Sequence, residues 1–419
     1  MVPWQSGGGG HDLSLAPFGN VPEQHVTSSA VMLIQNIERL AGKDALTQEF
    51  IAGAHELVTC AGDFWLSRLD SYGSISGVVG PDEFGNGGVG FEDGRITYKG
   101  VTDNPYTNVG ARKVLEYAFG VTGDDKYREG ADRINVLYDG ENDMHPQYVD
   151  FPSHQNAASK GAVKQADVTM MAWPLDYKYE TNSTLLNDLE YYKELYTPEG
   201  PGMTESISTI GWLKAGDIFQ ARSTFLSQLS FVQPQFNLWT ETPDPTVHPS
   251  DMGCYNFLTG AGGFIQSLIH GYGGFRFMND GGLSFTLTLD SELFTTLEFK
   301  SITYRGNTIT VRGSIEDGVE VEVRRREKRS DERAAVTSRT KIGHTSYLRS
   351  RRTNSLIDAI ILAFHPDPFR DSLRSSQFID GEGGVGWSTK KGDRSGTLNT
   401  ASPILRLNDC LNTEVILRA

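Results

Sequence analysis

The 419-residue sequence predicts a mainly α fold, in which a toroid of helix pairs is followed by a small antiparallel β unit. Apolar residues recur at helical spacing from about residue 26 to residue 271, and long loops rich in Gly, Pro, Asn and Asp separate these stretches. From Leu283 onward the apolar residues alternate with a period of two. Loops at the ends of packed helices often carry binding and catalytic side chains, so we expect a site on these loops.

The clearest helical stretch spans residues 44–69. Its apolar residues repeat every three or four positions, which places them on one face and predicts that this face is buried. They are Leu46, Phe50, Ala54, Leu57, Ala61, Phe64 and Trp65. Similar amphipathic stretches occur at 27–41, 107–120, 125–137, 206–231 and 257–270. Together these stretches predict a helical domain over residues 1–279.

Alternating runs follow at 283–289, 309–311 and 319–323, and the dipeptides Gly306-Asn307 and Asp317-Gly318 between them are typical of turns. These runs predict a small β-sheet unit over residues 280–323. Residues 324–419 are first rich in Arg and then rich in Gly and Ser. This composition predicts a poorly defined basic tail, to which we assign no function.

The composition is that of a soluble globular protein, with 38% hydrophobic and 22% charged residues. A formal net charge of −15 disfavours nucleic acids and anionic membrane surfaces as partners, whereas it tolerates neutral ligands such as sugars. The three cysteines are far apart and predict neither a metal site nor a disulfide framework. No apolar run approaches the roughly 18 residues of a membrane helix.

The cellular location stays open. The first residues show no charged segment followed by an apolar one, as a signal peptide would, and this favours a cytoplasmic protein over a secreted one. The sequon Asn182-Ser183-Thr184 points the other way, although such triplets arise by chance.

Two segments place carboxylates on defined turns or beside an aromatic ring. The first is Gly80-Pro81-Asp82-Glu83-Phe84, where Pro81 stiffens the approach to two adjacent carboxylates, although such a turn is commonly structural. The second is Phe236-Asn237-Leu238-Trp239-Thr240-Glu241, where the Trp239 ring could stack on a pyranose beside Glu241. A Trp at an interface next to a solvent-exposed Glu, with no catalytic role, would account for the same sequence.

Two further segments complete the pattern. Lys164, Gln165 and Asp167 lie together in Val163-Lys164-Gln165-Ala166-Asp167-Val168, and their donors and acceptor suit sugar hydroxyls as well as a helix start. The Gly-rich block 257–266 lacks the spacing of a phosphate-binding loop and is typical of close helix packing.

In this order, the four segments resemble glycoside hydrolase family 65, and the resemblance extends from about Pro3 to Phe277. Within the family the segments are most similar to the glucosylgalactosyl-hydroxylysine glucosidase and acid trehalase branches. The resemblance implies an (α/α)6 toroid, with no cofactor and no metal. It also implies an enzyme that inverts the anomeric configuration and releases a terminal α-linked glucose.

The resemblance assigns roles to individual residues. Glu83 corresponds to the general acid and Glu241 to the general base, which the phosphorylases of the family lack. Lys164 and Gln165 correspond to the pair that holds the glucose. Trp4, Glu23 and His25 match segments that line the glucose pocket. The phosphorylases carry a His- and Ser-containing phosphate loop, and the stretch that matches it here, Pro201-Gly202-Met203-Thr204-Glu205-Ser206, has no His, which favours hydrolysis.

The chain departs from the family pattern in three places. Phe84-Gly85 replaces the usual Tyr-His after the acid, and the excursion from Gly85 to Thr102 is longer than usual. The chain also begins inside the pattern, at Pro3-Trp4-Gln5-Ser6. We therefore expect an N-terminally incomplete toroid without the family's β-sandwich and first helices, and a longer natural chain.

The function expected from these observations is hydrolysis of glucosylgalactosyl-hydroxylysine or a related α-glucoside. The alternatives are an α,α-trehalase of the acid type, a disaccharide phosphorylase, and a catalytically inactive fragment or sugar-binding remnant. The expected partner is therefore a small carbohydrate or glycosylated hydroxylysine, and the oligomeric state stays open.

Overall fold

The structure is a computed structural model that describes most of the chain. The described residues are 23–40, 45–92, 95–151, 162–181, 183–198, 200–233, 238–243, 253–278, 282–304, 307–325, 336–342, 345–348, 404–406 and 414–418. Of the predicted site residues, Trp4 lies outside these ranges. None of the helices within them is long and apolar enough to cross a membrane.

Eight α-helices account for most of the described chain between residues 25 and 266. They are α1 (His25–Leu40), α2 (Ala45–Arg68), α3 (Pro105–Thr122), α4 (Asp125–Arg133), α5 (Thr184–Leu195), α6 (Thr204–Ala215), α7 (Ile218–Ser227) and α8 (Leu258–Gln266). One turn of 3-10 helix spans Val168–Met171, another spans Gln228–Phe231, and a π-helical turn at Ser267–Tyr272 continues α8. The predicted mainly helical character is confirmed, whereas closure into a toroid remains a prediction.

The sequence explains where several helices begin and end. The Asn104 side chain accepts a hydrogen bond from the Thr107 N–H at the start of α3, and Pro105 occupies the first helical position. Gly123 ends α3 in a left-handed conformation with φ 71°, where glycine is favoured. Asp124 and Asp217 cap α4 and α7 in the same way as Asn104 caps α3.

The buried face of α2 differs from the predicted one. Trp65 and Ala61 are buried as expected, but Phe50 and Leu57 are 53% and 43% exposed. Ile51 and Val58 are buried in addition, so the buried stripe is offset by one position. The difference arises because α2 carries apolar residues on more than one face, and periodicity alone does not choose among them.

The β region contains a six-stranded antiparallel sheet and a three-stranded one. The large sheet has the order β12 (Val336–Ile342), β11 (Gly318–Arg325), β10 (Asn307–Ser314), β9 (Thr296–Tyr304), β15 (Glu414–Arg418) and β14 (Ile404–Arg406). The small sheet has the order β13 (Thr345–Leu348), β8 (Leu283–Thr286) and β7 (Arg276–Phe277). Strands β12 to β15 lie in the segment predicted to be a tail, and the proposed domain boundaries at 279 and 323 remain predictions.

The remaining strands are short and lie among the helices. Ser76–Val78 (β1) pairs with Val101–Thr102 (β4), and the hairpin of β2 (Val89–Glu92) and β3 (Arg95–Tyr98) lies between them in sequence. Val232–Gln233 (β5) pairs with Leu238–Trp239 (β6) just before α8. These pairings hold the loops that carry Glu83 and Glu241.

Two hydrophobic cores support the helical region and its junction with the sheet. One core is built around Trp65, Leu115 and Tyr127 and joins α1, α2, α3 and α4. Another combines Phe225 and Tyr272 from the helical region with Phe299 from β9. Each of these aromatic rings removes a large apolar area from water, so the sheet is packed firmly on the helices.

Candidate active site

Loops and one helix start carry the predicted site residues that the structure describes. These segments are the start of α1 with the residues before it, the turn 80–83, the segment before the 3-10 turn at Val168 and the segment before α8. The loop before α6 carries no predicted site residue but contacts two of these segments. Contacts between neighbouring loops bring these segments together. The Ala166 N–H, for example, donates to Thr204 Oγ1 over 3.0 Å and joins the third loop to the start of α6.

Glu83 and Lys164 form an ion pair. Lys164 Nζ lies 2.7 Å from Glu83 Oε2, and the two side chains remain 26% and 30% exposed. The backbone of the two segments is joined as well, because the Lys164 N–H donates to Asp82 Oδ1 and Gln165 Nε2 donates to the Pro81 carbonyl. The structure thus brings three of the predicted site residues, Glu83, Lys164 and Gln165, to one place that solvent reaches.

Glu23 lies beside this ion pair and is only 9% exposed. Burial raises the pKa of Glu23 to about 8; the charge of Glu83 adds to this rise and that of Lys164 opposes it. Two carboxyl groups beside one ammonium group cannot both be fully compensated. Glu23 is therefore largely protonated at neutral pH.

His25 contacts the backbone just before the Gly80–Glu83 turn. Its Nδ1 donates to the Val79 carbonyl over 3.3 Å, and its ring meets the Tyr106 ring edge to face at 5.7 Å. Burial lowers the pKa of His25 to about 4, so the ring is neutral at pH 7. In this position His25 fixes the end of the segment that leads into the Gly80–Glu83 turn.

Two hydrogen bonds to the backbone of Cys254 hold Glu241. Its N–H donates to the Cys254 carbonyl over 3.2 Å, and its Oε2 accepts from the Cys254 N–H over 2.9 Å. Gly253, with φ 59°, lies so close that an added Cβ would overlap the Glu241 carboxylate. The side chain of Glu241 thus has one defined position.

Trp239 packs against α8. Its ring lies 5.3 Å from the Phe264 ring, and a Cβ added to Gly260 would lie 2.5 Å from Trp239 Cδ1. Its Nε1 is buried without a hydrogen-bond partner in the described part of the chain. Stacking of Trp239 on a sugar remains a prediction.

A short path of contacts joins the surroundings of Glu83 to those of Glu241. The carbonyl of Lys164 abuts Gly200, where an added Cβ would lie 2.5 Å away. Two residues later, the Gly202 N–H donates to the Glu241 carbonyl over 2.8 Å. Both glutamates therefore belong to the same group of loops.

Sequence reasoning missed Gln147. This residue is 1% exposed and its Nε2 donates to Asp82 Oδ2 over 2.8 Å, directly beneath the turn that carries Glu83. Gln147 lies in a loop without a recognisable motif, so nothing in its local sequence pointed to it. The pattern also left open whether Asp167 serves the site or the helix start.

The raised pKa values predict an unusual pH dependence of stability. Burial raises the pKa of Glu23 to about 8 and the pKa values of Asp167 and Glu205 to about 7. The folded state therefore binds more protons than the unfolded state between the ordinary carboxyl pKa and these values, and stability falls as pH rises. Below pH 6.5, His25 and His270 oppose this trend, since burial lowers the pKa of each to about 4. We expect Tm to fall between about pH 6.5 and pH 8.

Glu23→Gln tests this prediction, because glutamine resembles the protonated acid and does not titrate. Its Tm is expected to fall less steeply over the same pH range, as measured by thermal unfolding followed by circular dichroism. Glu190→Gln, which changes an exposed glutamate, is the control and should keep the original slope. Equal slopes in all three proteins would contradict the assignment to Glu23.

Comparison with known proteins shows that the sequence of the chain is similar to those of glycosidases. The chain is 30% identical over 328 residues to the protein-glucosylgalactosylhydroxylysine glucosidase of Dictyostelium discoideum, covering 74% of this chain and 41% of that protein. It is 28% identical over 331 residues to the mouse protein of the same name, covering 76% and 44%. A kojibiose hydrolase of Mucilaginibacter mallensis is 27% identical over 322 residues, covering 73% and 42%.

The predicted similarity to these hydrolases is confirmed, and acid trehalases match as well. All of these names are those of glycosidases. No family model matches the chain. The chain spans less than half the length of the glucosidases and the kojibiose hydrolase that it matches.

Proposed function

We propose that the chain is the catalytic part of an inverting hydrolase of glycoside hydrolase family 65, built on an (α/α)6 toroid. It releases a terminal α-linked glucose, with glucosylgalactosyl-hydroxylysine or a related α-glucoside as substrate. The observation that carries this proposal is the Glu83–Lys164 ion pair at 2.7 Å, which contacts link to the backbone-anchored Glu241. Together, Glu83 and Glu241 supply the proposed site with two carboxyl groups that lie on separate loops.

In the proposed reaction Glu83 first takes up a proton from solvent, because its ion pair with Lys164 is that of the ionised carboxylate. It then donates this proton to the glycosidic oxygen as the bond to the anomeric carbon breaks. Glu241 accepts a proton from the water that attacks the opposite face of the ring, so that β-glucose leaves. An inverting enzyme needs its two carboxyl groups about 6.5–9.5 Å apart to leave room for this water. Two glutamates on different loops meet this need more readily than neighbours on one turn.

Lys164 is proposed to keep the Glu83 side chain directed at the leaving oxygen, and together with Gln165 to bind hydroxyls of the glucose. Glu23 would then lie at the same subsite, where a protonated carboxyl can donate one hydrogen bond and accept another. Trp239 and His25 would line the rest of the proposed glucose-binding subsite. The site needs no metal or cofactor for these steps.

Hydrolysis is favoured over phosphorolysis by the residues at the start of α6. Glu205 lies in the first turn of this helix, and the nearby Gly202 N–H already donates to the Glu241 carbonyl, so this donor is not free to bind a phosphate. A carboxylate disfavours a nearby phosphate, whereas it activates water.

The test is glucose release by the purified chain from glucosylgalactosyl-hydroxylysine, kojibiose and trehalose, each with and without inorganic phosphate. We expect release that does not depend on phosphate. The glucose released from glucosylgalactosyl-hydroxylysine should appear first as the β-anomer in proton NMR, whereas trehalose should give equal amounts of α- and β-glucose, since its leaving glucose keeps the α configuration. Fastest turnover of trehalose would assign the chain to the trehalase alternative. Release only in the presence of phosphate, or the α-anomer as first product from glucosylgalactosyl-hydroxylysine, would refute the proposal.

A further inference from the structure

Two buried aspartates lie beneath the turn that presents Glu83. Asp82 and Asp167 are each 1% exposed, although they are 85 residues apart in the chain. Isolated buried carboxylates are costly, so their hydrogen-bond partners must be accounted for.

Asp167 binds the turn from one side. Its Oδ2 accepts from the Asp82 N–H over 3.2 Å, and its Oδ1 accepts from Asn104 Nδ2 over 2.9 Å. Gly80 packs directly onto both groups, and an added Cβ would overlap Asp167 Oδ2. The Gly80–Glu83 turn therefore rests on the Asp167 carboxylate.

Asp82 binds the neighbouring segment from the turn. Its Oδ1 accepts from the Lys164 N–H over 2.8 Å, and its Oδ2 accepts from Gln147 Nε2 over 2.8 Å. The same Gln147 nitrogen lies 3.4 Å from Asp167 Oδ2, so one amide group contacts both carboxylates. Asp82 thereby fixes the backbone of the residue whose side chain pairs with Glu83.

Burial and hydrogen bonding act in opposite directions on the charges of these two aspartates. All of these partners are donors, which favours ionised carboxylates, whereas burial raises the pKa of both, that of Asp167 to about 7. Neither side chain has exposed surface with which to reach a sugar. Their contacts lead instead to the backbone around Glu83 and Lys164.

We propose that Asp82 and Asp167 form a carboxylate clip, the pair of buried aspartates that positions Glu83 relative to Lys164 without touching the substrate. This inference rests on the proposed function, in which Glu83 is the general acid. Loss of proton donation by Glu83 should appear only with a leaving group that needs a proton, whereas any disturbance of glucose binding through Lys164 should lower the rates on both substrates by the same small factor. Misplacement of a catalytic group by about 1 Å can reduce the rate about 100-fold.

The test compares two substrates in the Asp167→Asn and Asp82→Asn variants. One substrate is the α-linked disaccharide that the chain cleaves best, whose alcohol leaving group needs a proton; the other is α-glucosyl fluoride, whose leaving group needs acid assistance far less. We expect kcat/KM to fall roughly 100-fold on the disaccharide but less than about fivefold on the fluoride. The ratio of the two rates does not depend on the fraction of protein that is folded.

Asp188→Asn is the matched control, because Asp188 is also a fully buried aspartate, which accepts from the N–H and Nδ1 of His145 over 2.8 Å each. It should lower both rates in parallel through stability alone. Parallel losses in the Asp167 and Asp82 variants as well would overturn the clip.

If the chain cleaves neither substrate, the proposed function fails, and the clip is tested by hydrogen exchange. The peptide containing Lys164 should then exchange faster in Asp82→Asn than in the unmodified chain and remain unchanged in Asp188→Asn. Unchanged exchange in both variants would refute the clip as a structural unit.

Discussion

Glu83→Gln is expected to reduce glucose release from the preferred α-glucoside by about 1000-fold or more, since general acid catalysis contributes roughly 10²–10⁴. Glutamine keeps the shape of the side chain, and its oxygen can still accept a hydrogen bond from Lys164 Nζ, which lies 2.7 Å from the native carboxylate. What it loses is the proton for the departing oxygen. Hydrolysis of α-glucosyl fluoride should fall far less, as measured by release of fluoride.

Asp176→Asn is the control for this variant, because Asp176 forms an equally short ion pair, at 2.7 Å, with Lys214 in the last turn of α6, which is not a predicted site residue. It should leave both rates close to those of the unmodified chain. If Glu83→Gln instead lowers the two rates equally, Glu83 binds or supports the glucose and does not act as the acid.

The proximity of two candidate site segments could be predicted in outline, whereas their catalytic roles remain predictions. Glu83 and Lys164 were assigned from separate segments, and the structure joins them in one ion pair. Gln147 could not be predicted, since its role depends on two carboxylates that are distant in sequence. The role of such a residue is set by contacts that are distant in sequence, so the residues next to it in the chain give no signal of that role.

Separation along the chain also explains why helix α2 could be predicted from the sequence and strand β15 could not. Helices depend on contacts between residues three and four positions apart, so α2 was predicted within one residue at each end. Strand β15 pairs with β9 across more than 100 residues, and its five residues show too short an alternation to identify a strand within an Arg-rich and Gly-rich segment. Long-range pairing, and not local preference, determines that strand.

Glu241→Gln is expected to reduce the hydrolysis of both the α-glucoside and α-glucosyl fluoride, each by about 1000-fold. A better leaving group cannot compensate, because the attacking water needs a base whichever bond breaks. The fold should persist, since the glutamine oxygen can still accept from the Cys254 N–H, which lies 2.9 Å from the native Oε2. Rates on both substrates and Tm are the measurements.

Gly253→Ala provides an independent test of the position of Glu241. A methyl group at Gly253 overlaps the Glu241 carboxylate and must displace it, so this variant should also lose both activities although the glutamate itself is intact. Gly216→Ala is the matched control, because Gly216 also has a positive φ, 85°, and a methyl group there meets no atom within 4 Å. Full activity of Gly253→Ala would show that catalysis does not depend on the position of the Glu241 carboxylate. Glu241 would then not be the general base. Loss of activity on the fluoride in Glu241→Gln, with retention in Glu83→Gln, would separate the base from the acid and make water, not phosphate, the acceptor.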